Sequence, residues 1–210
     1  MAKGIWPTTT LRMSQSFDLE GQALGLLGYG AIGKNLARIG ETFDMRVMGF
    51  RRAQVRKSKD KFTAKVFSSD ELEPFLKEVD VLISSLPLTP LTKGIINDHT
   101  LNYVKNGIYV VIIGRAEVFE EKSLYNAVKA GKVAGLAMDP QYIYPRSSTS
   151  DTALSNYPFY ELPDVLLSPH RAWASLNSTT RIEKFIATQL DLTATGMITN
   201  NAFTDISRGY

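Results

Sequence analysis

Three glycines that follow a short apolar run constrain the fold of this chain more than any other feature of its sequence. Residues 23–27 are apolar, and Gly28, Gly30 and Gly33 follow them directly. In a strand–turn–helix unit, the first glycine allows a sharp turn and the second lets a pyrophosphate approach the backbone. The third lets the helix pack closely, and the helix N-terminus offers N–H donors to phosphate. The pattern therefore predicts a dinucleotide-binding turn, whose other members are Tyr29, Ala31 and Ile32.

The elements around the glycines favour this interpretation over an ordinary glycine-rich turn. A helix is predicted over residues 31–43, with Leu36, Ile39 and Phe43 on one helical stripe. A second apolar run at residues 46–50 predicts the next strand. Three glycines at this spacing arise by chance often enough that the spacing alone is a weak signal. The predicted strand before the glycines and the predicted helix after them make the assignment of a dinucleotide-binding turn more specific.

Strand and helix patterns alternate along the rest of the chain. Further strands are predicted at residues 79–84, 108–113, 133–138 and 165–167, and further helices at 71–77, 98–104, 120–130 and 177–192. The uninterrupted β-branched and aromatic run at 108–113 is typical of a central strand of a parallel sheet. The alternation predicts one α/β domain with a Rossmann-type, doubly wound parallel sheet. We assign residues 1–20 to a connecting segment, 21–195 to the dinucleotide-binding domain and 196–210 to a C-terminal tail.

The composition excludes several classes of site. The chain has 210 residues, no cysteine and two histidines, so disulfides, thiolate sites and a histidine metal cage are not expected. The net charge of +3 and the short basic stretch at residues 51–61 give no reason to expect a nucleic-acid partner. No apolar run approaches the length of a membrane span. We therefore expect a cytoplasmic protein with no metal, nucleic-acid or membrane partner.

Three residues with functional side chains each follow a predicted strand. Arg115, Asp139 and His170 come two, one and three residues after the runs at 108–113, 133–138 and 165–167. Taken singly, such an arginine is more often a surface cation and such a histidine a turn residue. Their shared position at the carboxyl edge of the sheet, where open α/β sheets bind ligands, favours a common site.

Four motifs in order resemble the nucleotide-binding domain of the D-isomer-specific 2-hydroxyacid dehydrogenases, from about Phe17 to the C-terminus. These four motifs come in addition to the glycine turn. The first two are LPLTP at 86–90 with Thr92, and the strand ending in Gly114 and Arg115. The other two are the strand ending in Asp139 and the LP…PH segment ending in His170. Residues 172–175, Ala-Trp-Ala-Ser, are similar to the glycerate dehydrogenase and hydroxypyruvate reductase branch.

The resemblance implies hydride transfer between a nicotinamide cofactor and a 2-oxo or 2-hydroxy acid such as glyoxylate or hydroxypyruvate. Arg115 would bind the substrate carboxylate and carbonyl, and His170 would exchange a proton with the carbonyl oxygen. Asp139 would hold the nicotinamide carboxamide. The resemblance also implies a homodimer formed through this domain. It places further cofactor contacts at Leu86, Pro87, Thr92, Gly114 and His170.

The residues after the second predicted strand depart from the family pattern. An acidic residue there normally receives the adenosine ribose hydroxyls, but this chain has Arg51 and Arg52. A carboxylate repels a 2′-phosphate, whereas guanidinium groups pair with it. We therefore predict NADP(H) as the cofactor, with Arg51 and Arg52 as phosphate contacts and NAD(H) as second choice. A pair of solvated arginines is the alternative.

A second departure concerns the acid that supports the histidine. The family places a glutamate where this chain has Tyr144, followed by Pro145. A carboxylate beside an imidazole raises its pKa and fixes its tautomer, whereas tyrosine carries no charge at neutral pH. Three outcomes stay open: another acid such as Glu117 substitutes, turnover is slow, or the chain is a nucleotide-binding module that acts as a sensor or interaction protein.

A third departure is the small extent of the substrate domain. In the family, an N-terminal segment of roughly a hundred residues or more builds most of the domain that closes over the substrate and excludes water. This chain starts near the connecting helix. We expect it to lack most of that domain, either as a fragment or as a protein that kept only the nucleotide domain.

Overall fold

The computed structural model describes residues 17–52, 61–145, 153–175 and 177–197, and its centre is a seven-stranded parallel sheet. The strands are β1 (Ala23–Leu27), β2 (Arg46–Phe50), β3 (Lys65–Phe67), β4 (Val81–Ser84), β5 (Ile108–Ile112), β6 (Val133–Met138) and β7 (Val165–Leu167). Their order across the sheet is β3-β2-β1-β4-β5-β6-β7. The order reverses direction between β1 and β4, which is the point where open α/β sheets bind ligands. The predicted Rossmann-type sheet is confirmed.

The α-helices of the described residues connect these strands. They are α1 (Ala31–Thr42), α2 (Leu72–Glu78), α3 (Asp98–Leu101), α4 (Glu121–Lys129) and α5 (Ser178–Ala194). Helix α3 is shorter than the predicted 98–104, although Asn97 caps it by accepting hydrogen bonds from the backbone N–H groups of His99 and Thr100. None of these helices combines the length and apolar character that a membrane span requires.

Strand β3 was not predicted from the sequence. It has three residues and pairs with β2 in parallel, with Met48 opposite Lys65 and Phe50 opposite Phe67. Only Val66 and Phe67 are apolar, and Lys65 is exposed, so the segment carries no period that distinguishes it from a loop. Its place at the edge of the sheet explains why so short a strand suffices.

The apolar stripe of α1 is not the face that the helix buries, although Leu36 packs partly buried against the core. The helix buries Gly33, Ala37 and Gly40 against the sheet, whereas Ile39 is 49% exposed and Phe43 is 53% exposed. A Cβ atom at Gly40 would lie 2.6 Å from Leu24 Cδ2. The helix is therefore too close to β1 for large side chains, and small residues form its packing face.

The prediction that residues 108–113 form a central parallel strand is confirmed, because β5 pairs in parallel with β4 on one side and β6 on the other. The burial of β5 alternates: Ile108, Val110 and Ile112 are buried, while Tyr109 and Val111 are only half-buried. The ring of Phe17 lies 4.8 Å from the ring of Tyr109 and covers part of the second face. The main core therefore lies on one side of this half of the sheet.

Helix α5 contributes nothing to that core. None of its residues is buried. Its apolar side chains at Ile182, Phe185, Ile186 and Leu190 recur at helical spacing, and each is more than half exposed. The helix thus presents an amphipathic face that no part of the described chain covers.

Candidate cofactor and catalytic site

The glycine turn joins the ends of three strands. The backbone N–H groups of Gly28 and Tyr29 both donate to the carbonyl oxygen of Phe50, at 3.1 and 2.8 Å. Gly28 has a φ of +110°, a conformation that residues with a side chain rarely adopt. The Ser85 hydroxyl donates to the Gly28 carbonyl at 3.0 Å. The turn is therefore fixed between the carboxyl ends of β2 and β4.

Gly30 and Gly33 lack side chains for different reasons. A Cβ atom at Gly33 would lie 2.4 Å from the carbonyl oxygen of Gly28, so the fold itself requires glycine there. A Cβ atom at Gly30 would meet nothing within 4 Å. Packing therefore does not explain Gly30, and the open space beside it leaves room for a group that approaches the backbone closely.

The start of α1 is suited to an anion. Gly30 is the N-cap, no side chain caps the helix, and its first turn holds no acidic residue. The first N–H groups of a helix have no partner within the helix, and they carry a partial positive charge. Ala31 and Ile32 are exposed at this end. The open cradle at Gly30 and this helix end together fit the pyrophosphate of a dinucleotide.

Tyr29 has a different role from the one the sequence suggested. Its side chain is 3% exposed, and its ring packs against Gly49, where a Cβ atom would lie 2.6 Å from Tyr29 Cγ. Its backbone N–H already donates to Phe50. Tyr29 therefore belongs to the core beneath the turn and presents no side chain to a ligand.

Arg51 and Arg52 lie beside the glycine turn. Leu27 pairs with Phe50 across β1 and β2, so the residues after each strand are neighbours. The Arg51 N–H donates to the carbonyl of Phe67 at 3.0 Å, and the Arg52 carbonyl accepts from the Ser69 hydroxyl at 3.2 Å. These bonds fix the backbone, and two guanidinium groups occupy the end of β2. The rest of the basic stretch, residues 53–60, lies outside the described residues.

The loop after β4 is closed by its own side chains. The Thr92 hydroxyl donates to the carbonyl of Pro87 at 2.6 Å and accepts from the N–H of Thr89 at 2.8 Å. The predicted role of Thr92 as a cofactor contact therefore gives way to a structural one, because its hydroxyl already serves the loop. Pro87 is exposed, and Leu86 is half-buried.

Gly114 brings the end of β5 against this loop. A Cβ atom there would lie 2.5 Å from the carbonyl oxygen of Leu86. Arg115 follows and is exposed, and its guanidinium bonds only to the neighbouring carbonyl of Gly114, at 3.1 Å, among the contacts of the described residues. The Arg115 carbonyl also accepts from the Val118 N–H at 3.4 Å, and the guanidinium has no carboxylate partner in the described part of the chain.

Asp139 holds the turn that carries His170. Its carboxylate accepts from the Ser168 hydroxyl at 2.6 Å, from the Arg171 N–H at 2.8 Å and from the Ala172 N–H at 3.0 Å. Its carbonyl accepts from the His170 N–H at 3.0 Å. A carboxylate has about four acceptor positions, so about one remains for a ligand. The side chain that was predicted to hold a cofactor is mainly an anchor for the histidine turn.

The pKa of Asp139 is lowered in the folded chain. Burial alone would raise it, but the hydrogen bonds from Ser168, Ala172 and Arg171 outweigh that effect. A carboxyl group with a depressed pKa stabilises the fold above its unfolded pKa, and this contribution is lost as the pH falls through the folded value.

We expect Asp139→Asn to lower the free energy of unfolding at neutral pH, because it removes a charged acceptor from three hydrogen bonds. The deficit relative to wild type should narrow as the pH falls from about 4, the pKa of an unfolded aspartate, through the lower pKa of folded Asp139, because the wild-type chain then loses the charge that the variant lacks. Urea unfolding of both chains at neutral and acidic pH measures this. A deficit that stays the same across that range would contradict the assignment.

Tyr144 contacts His170 but does not replace a carboxylate. The two ring centroids are 5.2 Å apart at 49°, and the tyrosine hydroxyl accepts from the Gln141 N–H at 3.3 Å. The proposed substitute acid, Glu117, lies instead beside Tyr142, where burial and then Glu121, Glu117 and Glu120 raise the tyrosine pKa. Glu117 Oε2 is buried with no partner in the described residues. No contact among the described residues joins Glu117 to His170.

The predicted site residues therefore meet at one edge. Arg115 follows β5, Asp139 follows β6 and His170 follows β7, and these strands are neighbours. With strands spaced about 4.8 Å apart, Arg115 and His170 start roughly 10 Å from each other. Within the described chain, no cluster of three acidic or histidine side chains could hold a metal ion. The edge offers a cation, an imidazole and a phosphate-binding turn.

Sequence reasoning missed three polar residues of this edge: Ser85, Gln141 and Ser168. Each follows the carboxyl end of a predicted strand by one to three residues, and that position was the signal available. Their partners could not be found from the sequence, because each bonds to a residue at least 27 positions away.

A family model covers most of the chain. The model described as D-isomer specific 2-hydroxyacid dehydrogenase, NAD binding domain, matches residues 1–172. A glyoxylate reductase of Aeropyrum pernix is 31% identical over 189 residues, 90% of this chain and 53% of that protein. A glycerate dehydrogenase of Methylorubrum extorquens is 30% identical over 162 residues, 76% of this chain and 46% of that protein. The chain thus spans about half the length of these relatives.

Solved structures share the fold. A D-isomer specific 2-hydroxyacid dehydrogenase from Xanthobacter autotrophicus Py2, in complex with NADPH and MES, has a TM-score of 0.80 at 23% identity, covering 100% of this chain and 79% of that one. A probable 2-hydroxyacid dehydrogenase from Rhizobium etli CFN 42, in complex with NADP, has a TM-score of 0.77 at 21% identity, covering 100% and 62%. At these identities the likeness speaks for the fold alone.

Proposed function

This chain belongs to the D-isomer-specific 2-hydroxyacid dehydrogenase family, and we propose that it binds NADP(H) and transfers hydride between the cofactor and a 2-oxo or 2-hydroxy acid. The observation that carries the proposal is the placement of Arg115 and His170 at one sheet edge, beside a glycine turn whose Gly30 faces open space. Relatives named glyoxylate reductase and glycerate dehydrogenase make glyoxylate and hydroxypyruvate the substrates to test.

The Arg115 guanidinium and the His170 imidazole have different roles in the proposed reaction. The planar guanidinium of Arg115 suits a bidentate contact with a carboxylate and the adjacent carbonyl of a 2-oxo acid. His170 donates a proton to the carbonyl oxygen as the carbonyl group is reduced to an alcohol, and it accepts the proton in the reverse direction. A bound nicotinamide supplies or accepts the hydride at its C4. The remaining acceptor position of Asp139 suits the carboxamide of that ring.

The phosphorylated cofactor is preferred because two cations, and no carboxylate, occupy positions 51 and 52 at the end of β2. NADPH and NADP are bound in the structures from X. autotrophicus and R. etli, whereas NAD is bound in one from Lactobacillus delbrueckii. The fold thus accommodates both, and the β2 end decides between them.

We expect the double variant Arg51→Ala/Arg52→Ala to bind NADPH roughly 30-fold more weakly, because charge-assisted contacts to a phosphate contribute about 1.5–3 kcal/mol. NADH affinity should change less than about twofold, since NADH lacks the 2′-phosphate. Fluorescence titration of both cofactors gives the dissociation constants. Tighter binding of NADH than NADPH by the wild-type chain would contradict the preference.

Steady-state turnover tests the activity. Oxidation of NADPH should depend on added glyoxylate or hydroxypyruvate, and it should be lost in Arg115→Ala. The chain used for this test is the full 210 residues. Absence of turnover with both acids, while NADPH still binds, would reject the enzymatic function.

One observation favours a second candidate function. Tyr144 stands where the family has a glutamate, and its hydroxyl is bonded to Gln141 rather than to the imidazole. A chain whose imidazole has no hydrogen bond to a carboxylate among the described residues could bind the dinucleotide without efficient turnover and act as a sensor or interaction protein. Binding of NADPH without turnover is the result that distinguishes this candidate.

The remaining features of the proposal concern the setting of the domain. We assign residues 21–195 to the cofactor-binding domain, between a connecting segment and a C-terminal tail. A homodimer through this domain and a cytoplasmic location complete the proposal, with small acids as the ligands and no nucleic-acid or membrane partner. Sedimentation of the purified chain tests the dimer.

A further inference from the structure

Gln141 is a buried amide that the roles above leave unused. It lies three residues after β6 and is 3% exposed. Its Nε2 donates to the carbonyl of Ser168 at 2.9 Å, and its backbone N–H donates to the Tyr144 hydroxyl at 3.3 Å. Breaking a buried hydrogen bond of this kind leaves a polar group unsatisfied at a cost of about 1–3 kcal/mol. Gln141 therefore ties the exit of β6 to two segments at once.

The first of these segments holds His170 in an uncommon backbone conformation. His170 has a φ of +53°, in the left-handed region that costs a residue with a side chain about 1 kcal/mol or more. Such a conformation persists only where its surroundings determine it. Here the His170 N–H is bonded to the Asp139 carbonyl, and the Ser168 carbonyl just before the turn is bonded to Gln141.

The second segment carries the ring against His170. The phenol of Tyr144 packs at 5.2 Å from the imidazole, and its hydroxyl end is the atom that Gln141 holds. The Gln141 side chain therefore fixes the backbone from which the imidazole projects, and its backbone N–H helps to hold one side of the space in which the imidazole rotates. Asp139 shares the first task, but it is also a candidate cofactor contact, so Gln141 is the residue whose effect can be measured separately.

We propose that Gln141 is a positioning residue for His170: its side chain directs the imidazole toward the substrate carbonyl through the Ser168 carbonyl, beside the Tyr144 ring that its backbone N–H holds. The inference rests on the proposed function only where it is tested by measuring turnover. Gln141 contributes no atom to the reaction.

The kinetic test compares Gln141→Met with Tyr142→Phe. Gln141→Met keeps the length of the side chain and removes the donor. Tyr142→Phe removes a hydrogen bond of the same kind from the next residue, 3.1 Å to the carbonyl of Phe119, without a contact to the histidine turn. We expect Gln141→Met to lower kcat for glyoxylate reduction about 10-fold while the KM for NADPH stays within about twofold, because a misdirected proton donor slows the chemical step. Tyr142→Phe should leave kcat unchanged.

A spectroscopic test works without turnover. The chain has two histidines, His99 and His170, so full-length protein labelled with ¹³C-histidine gives two sets of ring signals, which His99→Gln assigns. His99 is bonded to the Tyr103 hydroxyl at 2.7 Å and reports that the fold is intact. We expect the His170 signals to shift or broaden in Gln141→Met and in Gln141→Leu, with the His99 signals unchanged and both sets unchanged in Tyr142→Phe.

The outcomes separate this inference from the proposed function. Unchanged His170 signals in both Gln141 variants overturn the inference, and so does an equal change at both histidines, because that indicates general loss of structure. A wild-type chain that binds NADPH and has no turnover overturns the enzymatic function, while the histidine signals still decide the role of Gln141.

Discussion

Gly30→Ala is expected to weaken NADPH binding roughly 100-fold, about 2.8 kcal/mol, with little loss of stability. The new methyl group would point into space where nothing lies within 4 Å in the folded chain, so it strains no packing. It would occupy the place where a pyrophosphate approaches the helix N-terminus. The dissociation constant for NADPH and the free energy of unfolding are the two quantities to measure.

Gly33→Ala is the matched control, because the same methyl group is added three residues away. Its Cβ would lie 2.4 Å from the Gly28 carbonyl oxygen, so the turn or the helix must shift. We expect destabilisation by about 1–3 kcal/mol, whereas Gly30→Ala should cost less than about 1 kcal/mol as a change of N-cap residue. If Gly30→Ala binds NADPH as tightly as wild type, the pyrophosphate lies elsewhere and the glycine turn is not the cofactor site.

Arg115→Ala is expected to lower kcat/KM for glyoxylate about 1,000-fold, because it removes a bidentate, charge-assisted contact to the substrate carboxylate and carbonyl. NADPH affinity should remain within about twofold, since the guanidinium lies beyond β5 while the glycine turn follows β1. Arg115→Lys should retain part of the activity because it keeps the charge and loses the planar fork.

Arg46→Ala provides the control for loss of a guanidinium. Arg46 begins β2 and so lies at the opposite edge of the sheet, where it pairs with Glu78 at 2.8 Å on the surface. Removal of such a pair costs about 0–1 kcal/mol of stability and should leave turnover unchanged. Equal activity losses in Arg46→Ala and Arg115→Ala would remove Arg115 from the site.

The sequence was sufficient for the parts of the fold that depend on local pattern. Strands β1, β2, β6 and β7 have the predicted bounds, because each is a short apolar run between turn-forming residues. Strand β3 was missed, since its three residues form a strand only by pairing with β2. The buried face of α1 could not be read from its apolar stripe, because the distance between helix and sheet, set by Gly40 against Leu24, is a tertiary quantity.

The candidate site shows the same division. The carboxyl-edge positions of Arg115, Asp139 and His170 could be predicted, because parallel strands end at one edge of a sheet. The sequence could not predict which polar atoms of these residues already have hydrogen-bond partners within the chain. The Asp139 carboxylate accepts three hydrogen bonds from residues 168–172. The Thr92 hydroxyl donates to a carbonyl of its own loop. Such bonds depend on side-chain geometry that no spacing in the sequence encodes.

Transfer of deuterium to glyoxylate from NADPH that carries deuterium at both C4 positions of the nicotinamide tests the central claim most directly. The account predicts glycolate that carries deuterium at C2 when the wild-type chain is incubated with the labelled cofactor. It also predicts almost none from Arg115→Ala under the same conditions. Glycolate without deuterium, or no glycolate from a wild-type chain that binds NADPH, would contradict hydride transfer and leave a nucleotide-binding module.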